Sequence, residues 1–333
     1  MLETVCHFPW TTIYLEPNGD AFPCCHRQPF RLGNIYCNTA LEILKGREAT
    51  TVRLQAGRSE LACFQRCTRA PSRRCYNAGR RPYPVSPQVR LEELHVNIST
   101  RCNLKCVMCG QDHRARETLN PALLTAAVDW TGSPRLIIQG GEPLVVPEAY
   151  ELAAWVKRNS ASPITLITNA TALDQRWEEV LLNGSNEVRV SLNAATRPVH
   201  EAVNRGSSWA KVMRNLHRLA RLRQQNKGAL YLTLRMTVVP ANVAEMPSFI
   251  GFGQAEGYAD RITFGFDKKT MPRWIKANKK VFLGLYEAFL AEATRSKVTC
   301  DAWRLFQLAR DLGLENRELK FGRKGQLLGG GGL

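Results

Sequence analysis

The central part of the chain, residues 91–267, alternates short apolar runs with amphipathic stretches. Stretches such as Leu152–Val156 and Val212–Leu222 place apolar residues three and four positions apart, which is typical of helices. The six predicted strands are Leu94–Ile98, Leu136–Gln139, Ile164–Thr168, Val188–Leu192, Leu230–Val239 and Ile262–Phe266. Strands that alternate with helices form parallel βα units, either in an open sheet or in part of a barrel. The pattern therefore predicts an α/β fold, and a barrel of this kind places its chemistry at the carboxyl ends of its strands.

Length and composition narrow the class of protein. The chain has 333 residues, of which 44% are hydrophobic and 23% are charged, as in an ordinary globular protein. No apolar run approaches the roughly 20 residues needed to cross a bilayer. The first residues, with Glu3 and Cys6, do not have the form of a signal peptide. We therefore expect a cytoplasmic protein with no membrane segment.

The eleven cysteines are unevenly distributed. An odd number of cysteines without a signal peptide argues against a disulfide framework, and clustered thiols in a reducing cytosol more often bind metals. Two groups and one isolated residue can be distinguished: Cys6, Cys24, Cys25, Cys37, Cys63, Cys67 and Cys75, then Cys102, Cys106 and Cys109, and finally Cys300.

The net charge of +17 is concentrated at the two ends of the chain. Residues 1–90 carry 13 Lys and Arg against 6 Asp and Glu, and residues 268–333 carry 14 against 6. Residues 91–267 are nearly neutral, with 19 against 17. Basic segments on both sides of a neutral core indicate an anionic partner, although surface lysine and arginine can also serve solubility alone.

The loop after the first predicted strand contains Cys102, Cys106 and Cys109 at the spacing C-x3-C-x2-C. A structural zinc ion requires four ligands, so this loop would need a distant fourth one. A [4Fe–4S] cluster held by three thiolates keeps one iron open, which suits chemistry better than a purely structural role.

This loop, at this place in a βα repeat, resembles the radical S-adenosylmethionine (SAM) superfamily. Further motifs follow in the order that this superfamily shows: Gly140-Gly141-Glu142-Pro143 after the second strand, Thr168-Asn169 after the third, Ser191 and Asn193 on the fourth, and then His200–Gly206. The resemblance covers roughly residues 92–267 and implies a partial (β/α)6 barrel of the TIM type.

The resemblance also implies roles for individual residues. The three thiolates would hold the cluster whose open iron binds SAM, and Glu142 would accept a hydrogen bond from the SAM ammonium group. The implied cofactor-binding residues are Gly140, Gly141, Glu142, Met108, Thr168, Asn169, Ser191 and Asn193. Two positions depart from the pattern: Met108 stands where relatives often have an aromatic residue, and Ala170 replaces the glycine of the T-N-G motif.

Residues 6–75 resemble the auxiliary iron–sulfur module called SPASM, or its short form called twitch, here placed before the barrel as in phage and bacterial twitch-domain radical SAM proteins. The resemblance implies a second [4Fe–4S] cluster on Cys6, Cys24, Cys63 and Cys67, with Cys25 and Cys75 as substitutes. A structural zinc on these thiols is the alternative. The predicted domains are an auxiliary module at 1–88, the radical SAM barrel at 89–267 and a basic helical extension with a glycine tail at 268–333.

The resemblance implies an enzyme that cleaves SAM reductively, with a flavodoxin or ferredoxin as electron donor, and abstracts a substrate hydrogen with the resulting 5′-deoxyadenosyl radical. The basic flanks favour a nucleic-acid substrate, and the preferred prediction is a modified nucleobase in DNA, such as an amino-acid-modified thymine in phage DNA. Maturation of a ribosomally made peptide is the alternative. A non-enzymatic iron–sulfur redox sensor that binds nucleic acid is a third hypothesis.

Overall fold

The structure is a computed structural model, and it describes residues 6, 8–25, 30–58, 60–61, 89–112, 114–226, 228, 230–302, 305, 308 and 326–327. The chain divides into two compact units. Unit 1 comprises residues 1–102 and 111–167, and unit 2 comprises residues 103–110 and 168–333. The boundaries of these units differ from the predicted domain boundaries at residues 88 and 267. Those domain boundaries therefore stay a prediction.

Unit 1 contains a run of six neighbouring strands in the order β6-β5-β4-β1-β2-β3. Its strands are β1 (Thr12–Leu15), β2 (Asp20–Phe22), β3 (Gly33–Asn34), β4 (Glu93–Asn97), β5 (Arg135–Gln139) and β6 (Ile164–Thr168). Its helices are α1 (Phe8–Thr11), α2 (Ala40–Lys45), α3 (Arg47–Gly57), α4 (Pro121–Ala127) and α5 (Pro147–Asn159). β6, β5, β4 and β1 run parallel, whereas β2 and β3 continue the sheet antiparallel.

Local sequence explains the main elements of unit 1. β5 reads Arg-Leu-Ile-Ile-Gln, and its three central residues are buried, as expected of a strand covered on both faces. Asn120 begins α4 by accepting hydrogen bonds from two backbone N–H groups, and Pro121 occupies the first helical position. α5 begins at Pro147 and ends with Lys157 and Arg158, which suit the negative end of the helix dipole.

Unit 2 contains a second run of strands in the order β7-β8-β9-β10-β11. Its strands are β7 (Asn186–Ser191), β8 (Leu230–Val238), β9 (Arg261–Phe266), β10 (Thr299–Asp301) and β11 (Gln326–Leu327). Its helices are α6 (Gln175–Leu182), α7 (Arg197–Val203), α8 (Trp209–Gln225), α9 (Met246–Gln254), α10 (Met271–Ala277) and α11 (Lys279–Arg295). β7 to β10 run parallel, and β11 pairs antiparallel with β10.

The core of unit 2 is rich in aromatic rings. Phe249 on α9 is fully buried and lies edge-on to Phe264 of β9, with ring centroids 5.8 Å apart. Phe264 in turn lies edge-on to Phe289 of α11, at 4.9 Å. These contacts bury the apolar faces of α9 and α11 against one side of the sheet.

The predicted α/β class is confirmed, because the six predicted strands correspond to β4 to β9 and helices alternate with them. This is the element order of a partial (β/α)6 barrel. Helices α10 and α11 confirm a helical segment after residue 267. The sequence pattern missed β1, β2, β3, β10 and β11. Those strands have two to four residues, too few to show a periodicity. Within the described residues, no helix is both long and apolar enough to cross a membrane.

We expect Phe249→Ala to lower the free energy of unfolding by about 3–5 kcal/mol, because it leaves a cavity among buried rings. Val281→Ala on α11 is the matched control. Val281 is 57% exposed, so its truncation changes stability by less than about 0.5 kcal/mol. Urea unfolding followed by circular dichroism measures both, and equal losses would contradict this account of the core.

Candidate functional site

The cysteine loop begins in unit 1, directly after β4. Ile98 and Ser99 are fully buried, and the Ser99 hydroxyl contacts the Thr118 hydroxyl at 2.8 Å. The backbone N–H of Arg101 donates to Ser99 Oγ at 3.1 Å, and Cys102 follows, half-buried. Hydrogen bonds therefore hold the start of the loop in place just before Cys102.

Residues 103–110 of the loop belong to unit 2, where two backbone hydrogen bonds hold them. The N–H of Lys105 donates to the Arg205 carbonyl, and the N–H of Val107 donates to the Val203 carbonyl, both at 2.9 Å. Cys106 lies between these two anchors and is half-buried. The loop is therefore pinned by the end of α7 and the turn after it.

Two further candidate residues follow Cys106 in the same loop. Met108 is half-buried, and Cys109 is exposed. The N–H of Cys109 donates to the Cys106 carbonyl at 3.0 Å, which closes a turn around Met108.

The Gly140-Gly141-Glu142 segment follows β5 and leaves no space for a side chain at either glycine. Gly140 has φ +92° and Gly141 has φ +52°. A Cβ on Gly141 would lie 1.9 Å from the Arg101 carbonyl oxygen. The N–H of Glu142 donates to that same carbonyl at 2.9 Å. The two glycines are therefore required by backbone conformation and by close approach.

Glu142 itself is a buried acid. Its residue exposure is 1%, and Oε1 accepts a hydrogen bond from the N–H of Leu144 at 3.0 Å. This contact caps the short 3₁₀ turn Pro143–Val145 and fixes the orientation of the carboxylate.

The Thr168-Asn169-Ala170 turn after β6 is left-handed even though it lacks glycine. Ala170 has φ +58° and is fully buried. Its N–H donates to Thr168 Oγ1 at 2.9 Å, and its carbonyl accepts from Asn215 Nδ2 at 2.8 Å. These two hydrogen bonds hold alanine in a conformation that glycine adopts at lower cost.

Asn169 links this turn to the cysteine loop within unit 2. Its Nδ2 donates to Asn103 Oδ1 at 3.0 Å, and its Oδ1 accepts from the Thr171 hydroxyl at 2.6 Å. Asn103 Nδ2 closes the ring by donating to Thr171 Oγ1 at 2.8 Å. Neither Asn103 nor Thr171 was predicted as a site residue, and the only signal in the sequence was that Asn103 directly follows Cys102.

Ser191 ends β7 half-buried, whereas Asn193 is buried and its amide is engaged by the protein. Asn193 has φ +63°. Its Nδ2 donates to Asn204 Oδ1 at 2.8 Å, and its Oδ1 accepts from the N–H of Thr237 at 2.8 Å. The side chain therefore holds the turn after β7.

A buried histidine supports this turn. His200 lies on α7 with Nδ1 2.9 Å from the Leu192 carbonyl and Nε2 2.8 Å from Ser207 Oγ. Asn204 Nδ2 donates to the same Leu192 carbonyl at 2.8 Å. Burial lowers the pKa of His200 below its ordinary value, so the ring is held neutral.

The auxiliary cysteines are only partly within the described residues. Cys6 and Cys24 are half-buried and Cys25 is exposed, whereas Cys63, Cys67 and Cys75 lie outside the described residues. Gly19, the glycine of this motif, has φ +86° in the turn between β1 and β2. A Cβ there would lie 2.6 Å from the Tyr36 ring, so this turn requires glycine.

The donor chemistry of the cysteine loop suits an iron–sulfur cluster. Cys102, Cys106 and Cys109 each supply a thiol sulfur, the soft ligand that such clusters take. Within the described part of the chain, no three His, Cys, Asp or Glu side chains lie close enough to hold a metal ion. Burial raises the pKa of the Cys300 thiol to about 11, so this isolated residue is not poised as a thiolate.

Comparison with known families identifies the class. Residues 96–252 match the Radical SAM superfamily, and residues 6–75 match the iron–sulfur cluster-binding domain SPASM. The chain therefore carries a radical SAM domain with a SPASM-type domain ahead of it, as predicted. The two domains confirm the predicted cofactors: a SAM-binding [4Fe–4S] cluster, an auxiliary iron–sulfur cluster and SAM.

Individual relatives are more distant. The chain is 27% identical over 135 residues to a probable GTP 3′,8-cyclase of Methanococcus vannielii, covering 38% of this chain and 45% of the relative. It is 28% identical over 167 residues to the Fe-coproporphyrin III synthase of Methanosarcina barkeri, covering 48% and 40%. The chain thus spans about half the length of the curated relatives it matches.

One solved structure aligns with most of this chain, but the similarity is weak. Streptococcus suis SuiB bound to its precursor peptide SuiA aligns with 96% of this chain and 76% of its own, with a TM-score of 0.48 and 12% identity.

We expect Gly141→Ala to abolish measurable SAM binding, because the new methyl group meets the Arg101 carbonyl and the backbone conformation costs a further 1–3 kcal/mol or so. Gly132→Ala is the control, since a Cβ at Gly132 meets nothing within 4 Å. Calorimetric titration of the cluster-loaded proteins with SAM measures this. Unchanged SAM affinity in Gly141→Ala would show that this turn is not part of the site.

The lowered pKa of His200 predicts a pH-dependent stability. Because the unfolded histidine binds a proton more readily than the folded one, the contribution is fully present above the ordinary value of about 6.5. It is lost as the pH falls below that value toward the folded pKa. The free energy of unfolding, measured between pH 5 and pH 8, should rise with pH, and His200→Gln should reduce this rise. An equal rise in the variant would show that other groups cause the pH dependence.

Proposed function

We propose that this chain is an enzyme that cleaves SAM reductively, with Cys102, Cys106 and Cys109 as the thiolate ligands of the SAM-binding cluster. The observation that supports this most strongly is the Gly140–Glu142 turn, which is held on the carbonyl of the residue that precedes Cys102. Held by these thiolates, the cluster would supply the electron that cleaves SAM, and SAM would supply the group that abstracts a hydrogen atom from the substrate.

The protein residues bind and orient SAM. Gly140 and Gly141 would allow close approach of the backbone, and the buried Glu142 carboxylate would accept a hydrogen bond from the SAM ammonium group. Ser191, Met108 and Thr168 would contribute further contacts, and the Met108 thioether would suit packing against the adenine. Asn169 and Asn193 act mainly by holding the turns after β6 and β7, because their amides are hydrogen-bonded within the protein.

The SPASM-type domain holds the auxiliary cluster in this proposal. Cys6, Cys24, Cys63 and Cys67 are its ligands, with Cys25 and Cys75 as substitutes, and a flavodoxin or ferredoxin is the electron donor. The predicted cytoplasmic location fits a cofactor set that is sensitive to oxygen.

Cys106→Ala should abolish 5′-deoxyadenosine formation by the reduced, anaerobically reconstituted protein. Cys37→Ala is the matched control, because Cys37 is exposed and lies outside both proposed ligand sets. Liquid chromatography of the reaction mixture gives the result. SAM cleavage that persists in Cys106→Ala would contradict the ligand assignment.

A basic surface follows the carboxyl end of β9. It consists of six exposed cationic side chains: Lys268, Lys269, Arg273, Lys276, Lys279 and Lys280. Among the described residues, none of the six forms an ion pair, and residues 268–280 contain no acid. The parallel strands β7, β8 and β9 have their carboxyl ends at the same edge of the sheet, and Ser191 is the last residue of β7. The basic surface therefore adjoins the edge of unit 2 at which Ser191 lies.

Helix α8 also carries several cationic residues, but two of its arginines are paired with acids. Arg218 pairs with Glu178 at 2.7 Å, and Arg223 pairs with Asp260 at 2.8 Å. These two arginines stabilise the packing of unit 2. In the basic N-terminal flank, the arginines from Arg66 to Arg81 lie outside the described residues.

We propose that the substrate is a modified nucleobase in DNA, such as an amino-acid-modified thymine, and that the basic surface binds the DNA phosphates. Cationic side chains without acidic partners suit binding to the uniformly negative phosphate backbone of DNA. A base in duplex DNA would be flipped out of the stack to reach the site. Curated relatives named GTP cyclases carry a nucleotide in their name, which supports a phosphate-bearing substrate. Maturation of a ribosomally made peptide is the alternative, because an acidic leader peptide would also match the positive charge of this surface.

The substrate test compares 5′-deoxyadenosine release with no substrate, ordinary DNA, DNA carrying amino-acid-modified thymine, and a peptide pool. Stimulation by modified DNA alone supports the proposal. Stimulation by peptides alone supports the maturase. A protein that binds iron and DNA but neither binds nor cleaves SAM would be a redox sensor.

DNA binding should weaken by orders of magnitude over a modest rise in salt, because each neutralised phosphate releases counterions. Lys276→Glu combined with Lys280→Glu should reduce the slope of log affinity against log salt by about two. Lys211→Glu combined with Arg214→Glu on α8 is the control, since both are exposed there. Fluorescence anisotropy measures all three proteins, and equal slopes would argue against this surface.

A further inference from the structure

The first strand of the N-terminal domain lies directly beside the strand that leads into the cysteine loop. β1 pairs in parallel with β4, with Leu15 opposite Val96. Their carboxyl ends therefore lie next to each other. Glu16 directly follows β1, and Asn97 is the last residue of β4. Both belong to unit 1.

Glu16 and Asn97 are joined by a hydrogen bond. Asn97 Nδ2 donates to Glu16 Oε2 at 2.7 Å, and Glu16 is only 9% exposed. A carboxylate offers only acceptor atoms, so the asparagine must present its NH₂ group to it. Glu16 therefore determines which way the Asn97 amide faces.

The other end of the Asn97 amide lies against Gly140. A Cβ on Gly140 would lie 1.5 Å from Asn97 Oδ1, so this oxygen occupies the space that a side chain would need. Oδ1 is buried and has no hydrogen-bond partner among the described residues. A buried acceptor left in this way has an energetic cost, and the bond to Glu16 stabilises the arrangement.

Gly140 begins the turn that ends in Glu142. The opposite side of this turn is fixed by the Arg101 carbonyl, which accepts from the N–H of Glu142. Asn97 thus holds the first residue of the turn, and the backbone next to Cys102 holds the last.

We propose that Glu16 is a positioning residue for SAM binding, acting through Asn97 on the Gly140–Glu142 turn. This inference rests on the proposed function, since it takes that turn as part of the SAM site. It assigns to the N-terminal domain a second contribution, separate from its cluster: one of its strands orients the SAM-binding turn.

Glu16→Gln tests the proposal with little change in shape. A glutamine amide presents either its oxygen or its NH₂ to Asn97, so the orientation of the Asn97 amide is no longer fixed. We expect SAM to bind about tenfold more weakly, the effect of losing one charge-assisted hydrogen bond. Calorimetric titration of the cluster-loaded protein measures the dissociation constant, and iron content and melting temperature are recorded for each variant.

Glu93→Gln is the matched control. Glu93 lies at the opposite end of β4 and hydrogen-bonds His95 at 3.0 Å, so the same chemical change is made away from the turn. SAM affinity should stay within twofold of wild type in this control.

A double-mutant cycle separates positioning from general destabilisation. Asn97→Ala should itself weaken SAM binding, and Glu16→Gln should cause no further loss in the Asn97→Ala background. Equal losses in both backgrounds, or unchanged affinity in Glu16→Gln, would overturn the proposal. If Glu16→Gln does not fold, unchanged affinity in Asn97→Ala alone would overturn it. If wild type with its clusters binds no SAM, the proposed function itself fails.

Discussion

After β5 the backbone passes through two consecutive residues with positive φ, Gly140 and Gly141, and no side chain fits at either. The rest of the candidate site in unit 1 depends on this turn. It brings the N–H of Glu142 onto the Arg101 carbonyl, beside the first cysteine, and it places a buried carboxylate at the end of a parallel strand. Left-handed turns recur after β6 at Ala170 and after β7 at Asn193. Three successive strands thus end in the same way, where side-chain hydrogen bonds replace glycine in the second and third.

The N-terminal domain contributes a strand to the sheet that contains the first strand of the radical SAM domain. β1 extends the parallel sheet beside β4, so the domain shares a sheet with the strand that leads into the cysteine loop. This accounts for the compactness of unit 1, which takes in residues from both sequence modules. It also connects Glu16 to the Gly140–Glu142 turn through a single residue, Asn97.

The six central strands could be predicted from the sequence, because periodicity is a local property. The three cysteines and the glycine pair stay a prediction about the site, made from motif spacing, which is also local. Contacts between segments that are distant in the sequence could not be predicted from local patterns. Asn103 meets Asn169 across 66 positions, and Asn193 was predicted to contact SAM although its amide is bonded to Asn204 and Thr237. The strand β1 was missed because its four residues are all buried and show no alternation.

If Cys102, Cys106 and Cys109 leave one iron open, SAM should bind directly to that iron. Electron–nuclear double resonance on the reduced protein, with SAM labelled by ¹⁵N at its amino group, measures this contact. We expect a coupling between the label and the cluster in wild type and none in Cys106→Ala. A wild-type cluster whose spectrum shows no coupling to the bound label would show that SAM does not bind to the iron.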